Sequence, residues 1–176
     1  MRLTVRRIYR TLTMTEKAKS CCFTGHREIP QELTGRLMQR LKAGIDYLYT
    51  NTGVTTYYTG GALGFDTLAA QAVIDRHREL TDIRLVLVIP CADQAARWNN
   101  DAVAAYERIK ASADEVICLA EHYYRGCMHQ RNRYMADHSA ACICYLTKDT
   151  GGTAYTVQYA RKNGLKIYNL AKEKTR

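Results

Sequence analysis

The sequence predicts an α/β protein of Rossmann-like architecture: an open, mainly parallel sheet with helices on both faces. Three observations predict it. Short apolar or β-branched runs alternate with longer stretches whose apolar residues recur every three to four positions, the patterns of strand and helix in turn. One run, IRLVLVI at residues 83–89, is apolar almost throughout, as a strand covered on both faces must be. Glycine-rich stretches fall directly after strand-like runs, where such sheets bind their ligands.

In chain order, residues 20–24 (SCCFT) read as a short buried strand. A helix over 32–50 follows, with Leu37, Met38, Leu41, Ile45 and Leu48 on one face and Gly53 as its stop. Residues 54–58 (VTTYY) are β-branched and aromatic, hence a strand. The helix over 65–79 collects Phe65, Leu68, Ala69, Ala72 and Val73 on one side. Pro90 ends the strand at 83–89, and 92–112 is helical in character, in two pieces. Strands at 115–119, 140–146 and 165–170 alternate with helices at 128–138 and 153–163. This order describes one domain over 19–172, behind a basic tail over 1–18 that is expected to be disordered.

A chain of 176 residues buries enough surface to fold without disulfides or metal. No stretch approaches the roughly 18 consecutive apolar residues of a membrane span, so no membrane partner is expected. The net charge is +9, but more than half of it comes from Arg2, Arg6, Arg7, Arg10, Lys17 and Lys19, opposed only by Glu16. Charge carried by a tail is weak support for a nucleic-acid partner, which is not expected. Residues 1–13 lack the apolar stretch of a secretory signal. Translation is expected to start at Met14; a basic arm that orders on a partner is the alternative, and the sequence leaves both open. Seven cysteines, an odd number, lie mostly in strand-like runs (Cys21, Cys22, Cys118, Cys142, Cys144), which points to small buried hydrophobes in a reducing, cytoplasmic setting. No Cys-x-x-Cys pair occurs, and His122, Cys127 and His129 match no tetrahedral pattern, so neither a metal nor a cofactor is expected.

Three strand-to-helix turns carry the functional signal. Thr24, Gly25, His26 and Arg27 close the first strand, and place an imidazole and a guanidinium beside the ligand crevice. The second turn, TGGALGFD at 59–66, has Gly60, Gly61 and Gly64 ahead of a helix. Backbone N–H groups and the helix N-terminus there suit a phosphate. It is neither G-x-G-x-x-G nor a P-loop. Asp66 is either a first-turn carboxylate that stabilises the helix or an acceptor for a ribose or base. The third turn, DTGGTAYT at 149–156, repeats the logic with Gly151, Gly152 and Thr153. In a fourth stretch, residues 128–139, Arg131 or Asn132 reaches the ligand or else stays on a solvated face; consecutive with Arg133, they cannot share one helix face.

FTGHR, TGGALGFD, IPCADQAARW (89–98), GCMHQRNRYMADHS (126–139) and GGTAYTVQYARKNGL (151–165) together resemble the YpsA-like branch of the SLOG superfamily, over roughly residues 20–170. The resemblance implies a bacterial Rossmannoid protein related to the Lonely Guy phosphoribohydrolases and to DNA-processing protein A, which senses or processes nucleotide-derived ligands. Gly60, Gly61, Gly64 and Asp66 match the branch's glycine-rich motif, whose acidic position is commonly Glu. The Lonely Guy enzymes carry P-G-G-x-G-T-x-x-E with a catalytic Glu. Gly152 and Thr153 align with its G-T, and Thr156 stands where the Glu would be. A hydroxyl does not replace a carboxylate in N-glycosidic hydrolysis, unless Asp66 or Asp137 substitutes. The expected function is therefore binding or sensing of a phosphate-bearing, nucleotide-derived small molecule without catalysis. The alternatives are a phosphoribohydrolase-like enzyme and, third, a single-stranded nucleic-acid binder. A homo-oligomer is left open.

Overall fold

The computed structural model describes residues 13–171. The element order is α1 (Met14–Ala18), β1 (Ser20–Gly25), α2 (Gln31–Thr52), β2 (Thr56–Thr59), α3 (Phe65–His77), β3 (Arg84–Ile89), α4 (Asn100–Ser112), β4 (Glu115–Cys118), α5 (Cys127–Asp137), β5 (Ala141–Tyr145), α6 (Gly152–Lys162) and β6 (Lys166–Asn169). The six strands form one sheet in the order β4-β3-β2-β1-β5-β6. All five pairings are parallel, as the expected Rossmann-like architecture requires.

Strand alternation sorts the core into two layers. Cys21, Phe23, Tyr57, Leu85 and Leu87 face the side covered by α2, α3 and α4, with Leu41, Ile45, Ala69, Val73 and Ile109. Their neighbours Cys22, Tyr58, Val86 and Val88 face the other side, under Met135 and Ala136 of α5 and Val157 and Ala160 of α6. Successive Cβ atoms on a strand point to opposite faces, so a run buried on both, such as LVLVI at 85–89, must be apolar at every position. All seven cysteines are buried and none forms a disulfide.

Two expectations need correction. Residues 14–18 are not part of a disordered tail. They form α1, opened by a capping box in which Thr13 accepts from the Glu16 N–H and the Glu16 carboxylate accepts from the Thr13 N–H. The Ser20 hydroxyl donates to the Glu16 carbonyl at 2.7 Å, which docks this turn on β1. The rest of the expected tail, residues 1–12, lies outside the described residues, and so does the question of the start site. The first piece of the 92–112 stretch is a run of successive turns (Gln94 to Cys91, Ala96 to Asp93, Trp98 to Ala95) rather than helix. Asn99, whose side chain accepts from the Ala102 N–H at 2.8 Å, starts α4 only afterwards. Because every strand runs the same way, the segments after β1, β2, β3, β4 and β5 all emerge on one edge of the sheet. Strand order reverses between β1 and β5, which makes their carboxyl ends the crevice of this fold.

Candidate functional site

The first two glycine turns lock into each other. A Cβ on Gly25 would overlap the Phe65 ring. Gly64 has φ +77°, and a Cβ there would overlap the Arg27 carbonyl. The Phe65 N–H donates to the His26 carbonyl at 3.1 Å, so the first turn satisfies the start of α3. Thr24 is buried on β1. The buried Thr59 hydroxyl donates to the Asp66 carbonyl at 3.2 Å. Gly25 and Gly64 are thus required by packing between two turns.

Gly60 and Gly61 are buried too. The space beside Gly60 is occupied by the Arg131 guanidinium. Beside Gly61 (φ +61°), Leu87 lies 2.7 Å and the edge of Tyr106 3.2 Å from where a Cβ would stand. Arg131 reaches there from the second turn of α5, with 5% of its side chain exposed, and lies 3.7 Å from Asp66, 7% exposed. Burial pushes the Asp66 carboxyl above the usual carboxylate range; Arg131 and the N–H groups of Ala62 and Gly60 oppose that rise. Burial likewise lowers Arg131, against the pull of Asp66. Asp66 is therefore engaged by protein at both ends, accepting from the Ala62 N–H at 3.4 Å. Arg131 Nε donates to Asn132 Oδ1 at 2.7 Å, Asn132 Nδ2 to the Thr156 hydroxyl at 2.8 Å, and that hydroxyl to the Gly152 carbonyl at 2.8 Å. This relay ties the second turn to the third. Arg133 is exposed and donates to the Tyr155 hydroxyl at 3.3 Å.

The third turn is open. Gly151 (φ +89°) and Gly152 are exposed, with no atom beyond their chain neighbours and the helix's own backbone within 4 Å of where a Cβ would stand. No side chain caps α6, so the N–H groups of its first turn, which includes the half-buried Thr153, are uncovered. Four residues upstream lies a concavity of about 450 Å³ at the strand-order reversal, lined by His26, Arg27, Glu28, Pro30, Tyr145, Thr147 and Lys148. His26 Nε2 accepts from the Thr147 N–H at 3.0 Å, which leaves the imidazole proton on Nδ1. Partial burial, then the nearby Lys148, lowers the His26 pKa from its ordinary 6.5.

The two carboxylates that the sequence offered in place of the missing Glu, Asp66 and Asp137, are poorly placed. Thr156 is buried within the relay. Asp66 is paired with Arg131. Asp137 ends α5, about 15 Å along the helix from its start at the crevice edge, and accepts from the Tyr159 hydroxyl. Of the other candidates, His122 stands 3.7 Å from Asp93, Cys127 is buried, and His129 packs edge-on against Tyr155. The structure adds Gln94, Tyr106, Tyr145 and Lys148, which sequence reasoning missed. Lys148, a cation directly past a strand end, was detectable. Gln94 lies within IPCADQAARW, a stretch that carried the family resemblance but no assigned role; Tyr106 reaches Gly61 from α4 and left no local signal.

The chain matches the YspA SLOG family over residues 23–172. It is 30% identical over 142 residues to the SPbeta prophage-derived protein YoqJ of Bacillus subtilis, covering 74% of this chain and 83% of that protein. It is 24% identical over 155 residues to the UPF0398 protein YpsA of the same organism, covering 84% and 81%. Among solved structures it is similar to DNA processing protein A of Helicobacter pylori (TM-score 0.63, 16% identity, 91% of this chain and 68% of that one), described with a single-stranded DNA binding mode. It is also similar to the Streptococcus pneumoniae protein of that name (TM-score 0.64, 16% identity, 90% and 52%). At such identity these two show a shared fold.

Proposed function

The chain belongs to the YspA SLOG family, and from the site it carries we propose that it binds a phosphate-bearing, nucleotide-derived small molecule at the carboxyl edge of the sheet, without turning it over. The observation that carries this reading is the open start of α6. Gly151 and Gly152 leave a helix N-terminus bare beside a crevice that presents His26, Arg27 and Lys148. An anion is favoured there by the free N–H groups and the helix dipole, each contributing about 0.3–1 kcal/mol near a surface. Useful affinity therefore needs several such groups on one phosphate. A non-catalytic role is supported by Thr156 in the carboxylate position and by the pairing of Asp66. The phosphoribohydrolase alternative would need a carboxylate at the crevice, where Glu28 stands and neither of these does.

One feature favours the nucleic-acid reading. Tyr123, Tyr124 and Tyr155 are exposed near Arg125 and Arg133, a combination on which single-stranded bases stack. Calorimetric titration with adenine and guanine nucleotides, their nucleosides, NAD, ADP-ribose and a short single-stranded oligonucleotide separates the readings. Nucleotides should bind more tightly than nucleosides, and Gly152→Glu, which puts a negative charge at the start of α6, should abolish the difference. Silence of every small molecule at millimolar concentration, or equal binding of nucleoside and nucleotide, would overturn the phosphate site. Binding of the oligonucleotide alone would replace it with the second reading.

A further inference from the structure

Among the described residues, the buried side-chain polar atoms without a hydrogen-bond partner are Gln94 Oε1, Tyr106 Oη and Arg131 Nη1. They come from three separate places, the turns after β3, α4 and α5, yet all three side chains abut Gly60–Gly61. Gln94 has a defined orientation. Its Nε2 donates to the Gly61 carbonyl at 3.1 Å and the Gly60 carbonyl at 3.4 Å. Reversing the amide would set its oxygen against two carbonyl oxygens, so Oε1 is an acceptor turned away from the turn. Buried polar atoms left unpaired destabilise a fold; Arg131 Nη1 faces Asp66 Oδ2 at 3.7 Å, longer than a hydrogen bond, and with Gln94 Oε1 and Tyr106 Oη it calls for a partner.

Charge decides the nature of that partner. Arg131 lies 3.7 Å from Asp66, both nearly excluded from water, so the cluster is close to neutral overall. A phosphate there would place a second negative group beside Asp66 in a low-dielectric site. The fitting group is neutral, donates to Gln94 Oε1 and accepts from Arg131 Nη1. A hydroxyl does both, with one donor and two acceptor lone pairs, and the Tyr106 hydroxyl can pair in either sense. We propose that Gln94 and Tyr106, with Arg131, recognise sugar hydroxyls of the bound nucleotide, so that the chain selects ribonucleotides over deoxyribonucleotides while the phosphate stays at the start of α6. This rests on the binding reading above. Gln94 sits outside helix and strand, 8% exposed, and its two bonds to the turn hold Oε1 in this sense.

The test is calorimetric titration of the full chain with AMP and GMP and with their 2′-deoxy and 3′-deoxy analogues. The ribonucleotide should bind about five- to tenfold more tightly than at least one analogue, the size of one or two hydrogen bonds. Tyr106→Phe removes no hydrogen bond of the unliganded fold, so its thermal midpoint should hold. Tyr106→Phe and Gln94→Met should each weaken the ribonucleotide and leave the deoxy analogue unchanged. Equal binding of ribo and deoxy forms, or equal weakening of both by Tyr106→Phe, overturns the proposal and leaves the phosphate site standing. Silence of every nucleotide overturns both.

Discussion

Residues 59–66 and 149–153 look alike in sequence. Each follows a strand, opens a helix and carries adjacent glycines. In the fold they are used in opposite ways. At 59–66 the space a side chain would take is filled by protein: Arg131 beside Gly60, Leu87 and Tyr106 beside Gly61, and the Arg27 carbonyl beside Gly64. At 151–152 it is filled by nothing. A glycine-rich turn has two distinct causes, the close approach of the protein to itself and the close approach of something else. Composition does not distinguish them, because both demand only that a Cβ be absent. Of the two turns, only the second leaves its helix N-terminus accessible to an anion.

The contrast can be broken at several points. The largest effect is expected from Arg131→Met, which leaves Asp66 buried without its partner and should cost about 3–5 kcal/mol in urea unfolding. The pH dependence should then have a definite sign. Asp66 already sits above its ordinary value of 3.8, and loss of the guanidinium raises it further. A folded state that holds its proton more tightly than the unfolded chain gains stability as pH falls, so the variant's urea midpoint should climb from pH 7 toward pH 4. A midpoint that falls instead would show that Asp66 is not desolvated.

Gly64→Ala comes next. Its Cβ meets backbone, and φ is +77°, so neither neighbour can swing aside; about 2–4 kcal/mol should be lost in thermal or urea unfolding. Gly152→Ala, in the open turn, should lose nothing and gain up to about 1 kcal/mol from helix propensity. Similar losses at both positions would erase the distinction between filled and open turns. The smallest effect concerns His26. Its folded pKa is depressed, so its contribution is present above about pH 6.5 and is lost as pH falls through the folded value. Urea midpoints between pH 8 and pH 5 should show a shallow decline that His26→Asn removes.

Periodicity alone carried most of the fold because strand and helix bury apolar residues at different repeats. Every strand, with α2, α3, α5 and α6, lies within a few residues of its expected place, and α4 ends where expected. Residues 92–98 read as helix because their alanines and charges suit one, but Asn99 caps later and the segment settles into turns. Residues 14–18 read as tail because a five-residue helix is too short for periodicity to register, although Thr13 and Glu16 were a visible capping pair.

The site was legible in part. Thr24 to Arg27, the two glycine turns and Arg131–Asn132 were each recognisable at strand ends or from the family's motifs, and the fold brings them to one edge. By itself the sequence determined the layer order of the domain and which segments meet at the carboxyl ends of the strands, since parallel connectivity leaves no other arrangement. Which glycines are spoken for, and by what, was decided only in three dimensions. Arg131 fills the place beside Gly60 from 71 positions away. Gln94 and Tyr106 arrive from the turns after β3 and from α4. Contacts of that kind depend on how helices seat against the sheet, and no local pattern of residues encodes them.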